Sequence, residues 1–164
     1  MGHLYPTIAA LVDADERGDI DDDTFDDELW IMLMDKIDGP EDRRKFDEPV
    51  MVFYASRLME WEVANGGFAQ AAYNYPEWFG LAAWAYRQLG IEKAAGLIEE
   101  GIPLLAEEDR EKAFTACEIG GLFKQFSEST LAELDERVDE SGWWATEIRL
   151  KHARQHRDSF RRIA

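Results

Sequence analysis

Apolar residues recur at three- and four-residue spacing along most of the chain, which is the pattern of amphipathic helices. No stretch alternates at a period of two over more than a few residues, and no repeat of 20 to 50 residues is present. We therefore predict an all-α fold, a single compact multi-helix domain of about eight to nine helices spanning residues 1–164. The predicted helices cover approximately 6–16, 24–38, 49–64, 68–73, 76–90, 91–105, 107–126, a segment capped by Ser127 or Ser129 and ending at Val138, and 143–163.

Residues that favour helix ends divide these segments. Gly18 is expected to end the first helix, and Asp23 or Thr24 to cap the second. Gly39-Pro40 is expected to end the second helix. Asn65-Gly66-Gly67 supplies residues that adopt left-handed backbone angles, so the third helix should end there in a sharp corner.

Composition and charge narrow the classes of function. The 164 residues include 46% apolar residues and six Trp, which favours a folded chain over a disordered acidic tail. Thirty-five acidic residues against 18 basic ones give a net charge of −17. Such a charge opposes direct contact with nucleic acid or anionic lipid, because both carry phosphate charges of the same sign.

The sequence contains few signals of export or catalysis. Its one cysteine, Cys117, cannot form an intrachain disulfide, and no leader or membrane-spanning segment is apparent, so we expect a reduced, cytoplasmic protein. Cys117 has no nearby His and is interpreted as a small core residue. No phosphate-binding Gly loop, nucleophile elbow or Cys pair is present. We predict a protein that is not an enzyme and needs no cofactor.

Two segments resemble metal sites only in part. Residues 13–24 place acids at positions 1, 3, 7 and 9 of a calcium loop, with Gly18 at position 6. Arg17 and Thr24 occupy two positions that should donate oxygen, so we interpret the segment as an acidic loop. His152 and His156 lack the intervening Glu of a zinc motif and lie among arginines, so a solvated basic helix is predicted.

Charge is unevenly distributed along the chain. The first 50 residues hold 16 acids and five bases, whereas residues 148–164 hold six bases and one acid. The basic closing helix would either offset its own helix dipole or pair with an acidic face of a second subunit. A second acidic set comprises Glu99, Glu100, Glu107, Glu108 and Asp109. The densest acidic set, predicted to bind a partner, is Asp13, Asp15, Asp19, Asp21, Asp22, Asp23, Asp26, Asp27 and Glu28.

Four polar residues interrupt an otherwise apolar stretch at the predicted corner: Glu62, Asn65, Gln70 and Asn74. In one interpretation they satisfy the unpaired backbone groups where two helices meet. In the other they form a small polar pocket for a ligand or for a partner's backbone. The sequence leaves both interpretations open.

The corner also carries a resemblance to a known family. Its motif, with the spacing seen here, resembles the signature of a bacterial family of DNA-mimic proteins, small acidic helical proteins of which many are uncharacterised. The similarity extends through Leu89-Gly90, Leu134-Asp135 and Phe160, over about residues 25–160. Ala71 and Ala72 stand where the family commonly has aromatic residues. The motif residues are Glu62-Val63, Asn65-Gly66-Gly67-Phe68, Gln70 and Asn74.

The resemblance implies an all-helical homodimer whose acidic face occupies the DNA site of a transcription factor. The charge of −17 equals that on about 29 Å of duplex, comparable with the dimensions of a globule whose radius of gyration is about 15 Å. We therefore hypothesise a partner-binding acidic protein that competes with DNA for a basic DNA-binding protein. Alternatives are an immunity or antitoxin-like inhibitor of a basic nuclease, a small-ligand protein using the corner, and acidity that reflects adaptation to salt.

Overall fold

A computed structural model describes residues 3–105, 109 and 128–163, and every regular element in these residues is helical. This confirms the predicted all-α fold class. Among the described residues, no helix is both long enough and apolar enough to cross a bilayer. Short 3₁₀ helices cover Pro40–Arg44, Pro76–Trp78, Ile102–Leu104 and Asp139–Ser141. The eight α-helices of the described residues are α1 (Ile8–Arg17), α2 (Asp22–Met34), α3 (Glu48–Asn74), α4 (Phe79–Gln88), α5 (Glu92–Gly101), α6 (Glu128–Asp135), α7 (Thr146–Gln155) and α8 (Arg157–Arg161).

The ends of α1 lie close to those predicted. The Thr7 side chain caps its start by accepting the Ala10 N–H at 3.1 Å. Gly18 ends the helix with a left-handed φ of 73°, as expected for a glycine at this position.

Both predicted ends of α2 are wrong. Asp21 caps the helix by accepting the Thr24 N–H at 2.9 Å, so neither Asp23 nor Thr24 is the cap. The run of three aspartates offered several equivalent caps, and the helix starts after the first of them. At the other end, α2 stops at Met34, before Gly39 and Pro40 are reached.

The predicted closing helix is wrong in two respects. It begins at Thr146 instead of Trp143, and non-helical backbone at His156 divides it into α7 and α8. The predicted helix 107–126 lies outside the described residues apart from Asp109, as do Cys117 and Ser127. Ser129 lies within α6, whose range starts at Glu128.

The described residues form two compact units, of which the first combines residues 1–54 with 146–164. In this unit α1 packs against α2 and α8, and α2 packs against α7. Its core includes Leu11, Phe25 and Leu29, all fully buried. Phe53 meets Phe160 edge to face with ring centroids 6.0 Å apart, which is a favourable aromatic geometry.

The second unit comprises residues 55–145. Here α4 packs against α5, and α5 packs against α6. Trp143 is fully buried, with ring centroids 5.2 Å from Phe68 and 5.1 Å from Tyr86. The Tyr86 hydroxyl donates to the Trp143 carbonyl at 2.9 Å, so the polar end of this buried tyrosine is satisfied.

Candidate partner-binding surface and helix corner

The nine acidic residues predicted to bind a partner are brought together on α1, on the turn that follows it and on the first half of α2. Their exposure differs widely. Asp15 and Asp26 are buried, and Asp13 and Glu28 are half-buried. The remaining five are exposed and are called the rim carboxylates below: Asp19, Asp21, Asp22, Asp23 and Asp27.

Asp26 forms a buried ion pair with Arg149 of α7. The Arg149 Nε lies 3.1 Å from Asp26 Oδ1, and its Nη2 lies 3.4 Å from Oδ2. The Arg149 side chain is 0% exposed, and its guanidinium carbon lies 5.7 Å from the centre of the Phe53 ring. The pair therefore joins α2 to α7 inside the first unit, where water does not screen it.

Asp15 binds two arginines although only 2% of its side chain is exposed. Arg154 Nη2 donates to Asp15 Oδ1 at 2.7 Å, and Arg157 Nη2 donates to Oδ2 at 3.1 Å. Arg154 Nη2 also donates to Asp22 at 2.6 Å. These hydrogen bonds, with the one to Asp15 foremost, raise the pKa of Arg154.

Arg161 of α8 completes the set by binding Asp13 at 2.9 Å and also Glu16. The arginines of α7 and α8 thus pair with acidic residues of α1 and α2 in the same chain. Neither sequence-based interpretation of the basic closing segment described this arrangement. The partners lie 123 to 148 residues apart, so no local pattern signals the pairing.

The rim carboxylates keep their side chains at the surface even where they have partners. Asp21 accepts from Thr24, and this hydrogen bonding lowers the pKa of Asp21. Asp19 accepts from Arg17 Nε at 2.7 Å, with 53% of the Asp19 side chain exposed. Exposed carboxylates in this number can meet Lys and Arg groups of a partner, because charge-assisted hydrogen bonds do not depend on a deep pocket.

The calcium-like spacing of residues 13–24 is not a loop in the structure. Asp13 and Asp15 lie within α1 and bind arginines, and α2 begins at Asp22. In residues 3–105, 109 and 128–163, no group of three or more His, Cys, Asp or Glu side chains could hold a metal ion. The acidic segment therefore consists of the end of α1, the turn that follows it and the start of α2.

His152 and His156 lie with ring centres 4.6 Å apart. The prediction of a solvated helix face is wrong for His152, which is half-buried and whose Nε2 has no hydrogen-bond partner among the described residues. Burial, followed by repulsion from His156, lowers the pKa of His152.

The second acidic set is only partly described. Glu99 binds Arg87, and Glu100 accepts from Arg137 at 2.5 and 2.9 Å. The Arg137 hydrogen bond lowers the pKa of Glu100. Asp109 is described, whereas residues 107 and 108 lie outside the described residues. Part of this set is thus engaged by arginines within the second unit.

The predicted corner is present as a break inside α3. Gly66 has φ −168° and ψ 25°, and Gly67 has φ 72° and ψ −173°. The second of these conformations is one that essentially only glycine adopts. A Cβ at Gly67 would also overlap the carboxylate of Asp135. The backbone therefore turns here because Gly67 has no side chain.

Polar side chains hold the corner through mutual hydrogen bonds. The buried Glu62 accepts from Gln70 Nε2 at 3.2 Å and from Asn74 Nδ2 at 2.7 Å, both on the same oxygen. Asn65 Nδ2 donates to the Trp61 carbonyl at 2.8 Å. This is the arrangement expected if the four polar residues serve the helix corner itself.

Asp135 of α6 is a further part of the corner that reasoning from the residues missed. Its Oδ1 accepts the Phe68 N–H at 2.8 Å, so it caps the helical segment that follows the two glycines. Asp135 is 67 residues away in the sequence, and only the family resemblance singled it out.

A protein-family model described as DMP19-like protein matches residues 44–156. The chain belongs to the DMP19-like family. This match confirms the resemblance to DNA-mimic proteins that the corner motif suggested. The DMP19-like region contains the whole second unit, including the corner and Asp135, whereas the nine acidic residues of α1 and α2 precede it. No curated protein and no solved structure matches the chain.

Proposed function

We propose that this DMP19-like protein is a non-enzymatic DNA mimic, which binds a basic DNA-binding protein such as a transcription factor and competes with DNA for it. The observation that carries the proposal is membership of a DNA-mimic family by a chain whose net charge is −17. A surface of this sign attracts a protein built to bind phosphates, and attraction at long range also raises the association rate.

We place the partner's contact on the rim carboxylates. The arginines of α7 and α8 engage the buried Asp15 and Asp26, which fastens α1 and α2 to the core of the first unit. The rim carboxylates therefore lie on helix ends that these ion pairs hold in place, and not on a flexible acidic tail. A surface that is already ordered binds with a smaller loss of conformational entropy.

The second unit offers a rival surface. Its residues 55–145 include 17 acidic and seven basic residues, a net charge of −10, and all of them lie inside the family match. Glu133, Glu136 and Glu140 are exposed there. Any test of the rim must therefore separate the position of the charges from their number.

The first experiment identifies the partner. The immobilised protein is incubated with host extract at low salt, and duplex DNA is then added as a competitor. We expect DNA to displace a basic DNA-binding protein, because the two ligands share one site. Retention of a nuclease whose activity is blocked would favour the nuclease-inhibitor alternative, and no DNA-sensitive protein at low salt would contradict the proposal.

The second experiment compares two triple variants that remove equal charge. The rim variant replaces three rim carboxylates and keeps an Asn cap on α2: Asp21→Asn/Asp22→Asn/Asp23→Asn. The second-unit variant replaces three exposed glutamates: Glu133→Gln/Glu136→Gln/Glu140→Gln. Three exposed ion pairs of about 0.5 kcal/mol each correspond to roughly a tenfold affinity change. We expect that loss, and a flatter salt dependence, from the rim variant alone.

Titration calorimetry with the identified partner measures both variants, and thermal unfolding checks that each remains folded. A larger loss of affinity from the triple variant at Glu133, Glu136 and Glu140 would place the partner's contact on the second unit. Equal losses would mean that net charge, and not the rim, governs binding.

A homodimer is a further part of the proposal and rests on the family resemblance. Sedimentation equilibrium at micromolar concentration tests it, and a monomer throughout that range would contradict it.

A further inference from the structure

A cleft of about 420 Å³ opens in the first unit, and none of the rim carboxylates lines it. Its size falls within the range of small-molecule sites in proteins. We call it the basic cleft. Its walls include Lys36, Lys45, Phe46, Ser159, Arg162 and Ile163.

The charge of the basic cleft is opposite to that of the protein. Three of its lining residues are cationic and one, Asp47, is acidic, in a chain where acids outnumber bases by 35 to 18. Lys45 also ends the only run of three consecutive basic residues, Arg43-Arg44-Lys45. Lys36 follows α2, Lys45 precedes α3, and Arg162 follows α8, so the fold gathers cations from three separate segments. A concave surface of this kind favours an anion.

Carboxylates pair with two of the cations, and one of these carboxylates, Asp47, itself lines the basic cleft. Asp47 accepts from Arg162 and from the Ser159 hydroxyl, and these hydrogen bonds, the one from Arg162 foremost, lower the pKa of Asp47. The buried Asp42 lies 2.5 Å from Lys45 Nζ. The Nε and Nη1 groups of Arg162 donate to no described residue, which leaves them as donors for a ligand. A hydrogen-bonded carboxylate partner orients a binding group before the ligand arrives.

Two further lining residues of the basic cleft have apolar side chains. Phe46 and Ile163 are both half-buried and line the basic cleft. Ile163 and Lys36 also line a smaller cavity of about 150 Å³. The ligand should therefore carry an apolar body next to its charged group.

We propose that the basic cleft binds a small organic phosphate, with the phosphate between Lys36, Lys45 and Arg162 and the organic body on Phe46 and Ile163. A phosphate monoester carries about −1.5 to −2 charges at pH 7 and three acceptor oxygens, which matches cations that approach from three segments. Lys36 and Arg162 lie outside residues 44–156, so the site is a property of this chain beyond the family match.

Phenyl phosphate is the probe, with inorganic phosphate and phenol as partial ligands, and titration calorimetry at low salt is the measurement. We expect saturable binding of phenyl phosphate with a Kd below about 1 mM. Inorganic phosphate should bind about tenfold more weakly because it lacks the body that contacts Phe46, and phenol should give no measurable binding.

Arg162→Gln should weaken phenyl phosphate binding at least about tenfold, since a charge-assisted contact is lost. Lys45→Gln provides a second variant in case the loss of Arg162 disturbs Asp47. Lys93→Gln is the matched control, because Lys93 is an exposed lysine that lines a different cleft, of about 370 Å³, in the second unit. We expect this control to leave the affinity unchanged.

Two results would overturn the proposal. One is the absence of saturable phenyl phosphate binding, or binding that neither Arg162→Gln nor Lys45→Gln weakens. The other is a protein that does not bind phenyl phosphate but self-associates, with the self-association abolished by these variants. That result would show that the basic cleft binds an acidic face of a second copy. Neither result bears on the rim variants, so the proposed DNA mimicry is tested separately.

Discussion

Gly67 occupies a backbone conformation that a residue with a side chain adopts only under strain. Its φ of 72° and ψ of −173° lie in a region that essentially only glycine populates. The Asp135 carboxylate lies where a Cβ would be, and it binds the N–H of the next residue, Phe68. A single missing side chain thus permits both the turn of the backbone and the cap that follows it.

Gly67→Ala is expected to lower the free energy of unfolding by about 3 kcal/mol, from backbone strain together with displacement of Asp135. The matched control is Gly96→Ala in α5, where a Cβ meets no neighbour within 4 Å. That change should raise the free energy of unfolding by about 0.5–1 kcal/mol, because alanine favours a helix interior. Urea denaturation measures the free energy of unfolding of both variants. Similar changes in the two variants would contradict the requirement for glycine at position 67.

At the scale of helices, the contact between α2 and α7 includes a charge pair inside the protein. Asp26 and Arg149 are both buried, and each would be costly to leave without the other. The pairing is specific, since a guanidinium can donate two hydrogen bonds to one carboxylate. It should therefore determine which face of α7 meets α2.

We expect Arg149→Met to lower the free energy of unfolding by about 3–5 kcal/mol, because Asp26 loses its buried counter-charge. Adding Asp26→Leu should recover a large part of that loss, since the double variant buries no isolated charge. A double-mutant cycle by urea denaturation measures the coupling. Additive effects would show that the two side chains do not depend on each other.

The sequence predicted features that depend on near neighbours. Helical periodicity identified most of the described helices, and Asn65-Gly66-Gly67 located the corner, because both depend on residues within a turn or two. The cap of α2 was misplaced since three adjacent aspartates are chemically equivalent. Two features depend on contacts between residues 67 to 148 positions apart. One is the cap that Asp135 provides, and the other is which acidic residues of α1 and α2 pair with arginines and which stay exposed. No local pattern contains that information.

At the scale of the whole molecule, negative charge is in excess in both units. The first unit has 18 acidic and 11 basic residues, a net charge of −7, and the second has a net charge of −10. Repulsion among these charges opposes the folded state, since folding brings them closer together. Ion pairs such as that of Asp15 with Arg154 act in the opposite direction, but burial protects some of them from screening.

The melting temperature should therefore rise between about 10 mM and 150 mM salt, as the Debye length falls from about 30 Å to about 8 Å. Differential scanning calorimetry at pH 7 measures it, with sodium chloride as the added salt. A fall in melting temperature over this range would mean that exposed ion pairs stabilise the fold more than net repulsion destabilises it.

The division of the first unit between residues 1–54 and residues 146–164 also bears on biosynthesis. A nascent chain exposes α1 and α2 long before Arg149, Arg154 and Arg161 leave the ribosome, whereas residues 55–145 emerge as one uninterrupted stretch. During that interval Asp13, Asp15 and Asp26 have no guanidinium partners from α7 and α8. Premature termination or proteolysis shortly before residue 146 would remove these arginines. It would therefore destabilise α1 and α2, although the cut lies near the other end of the chain.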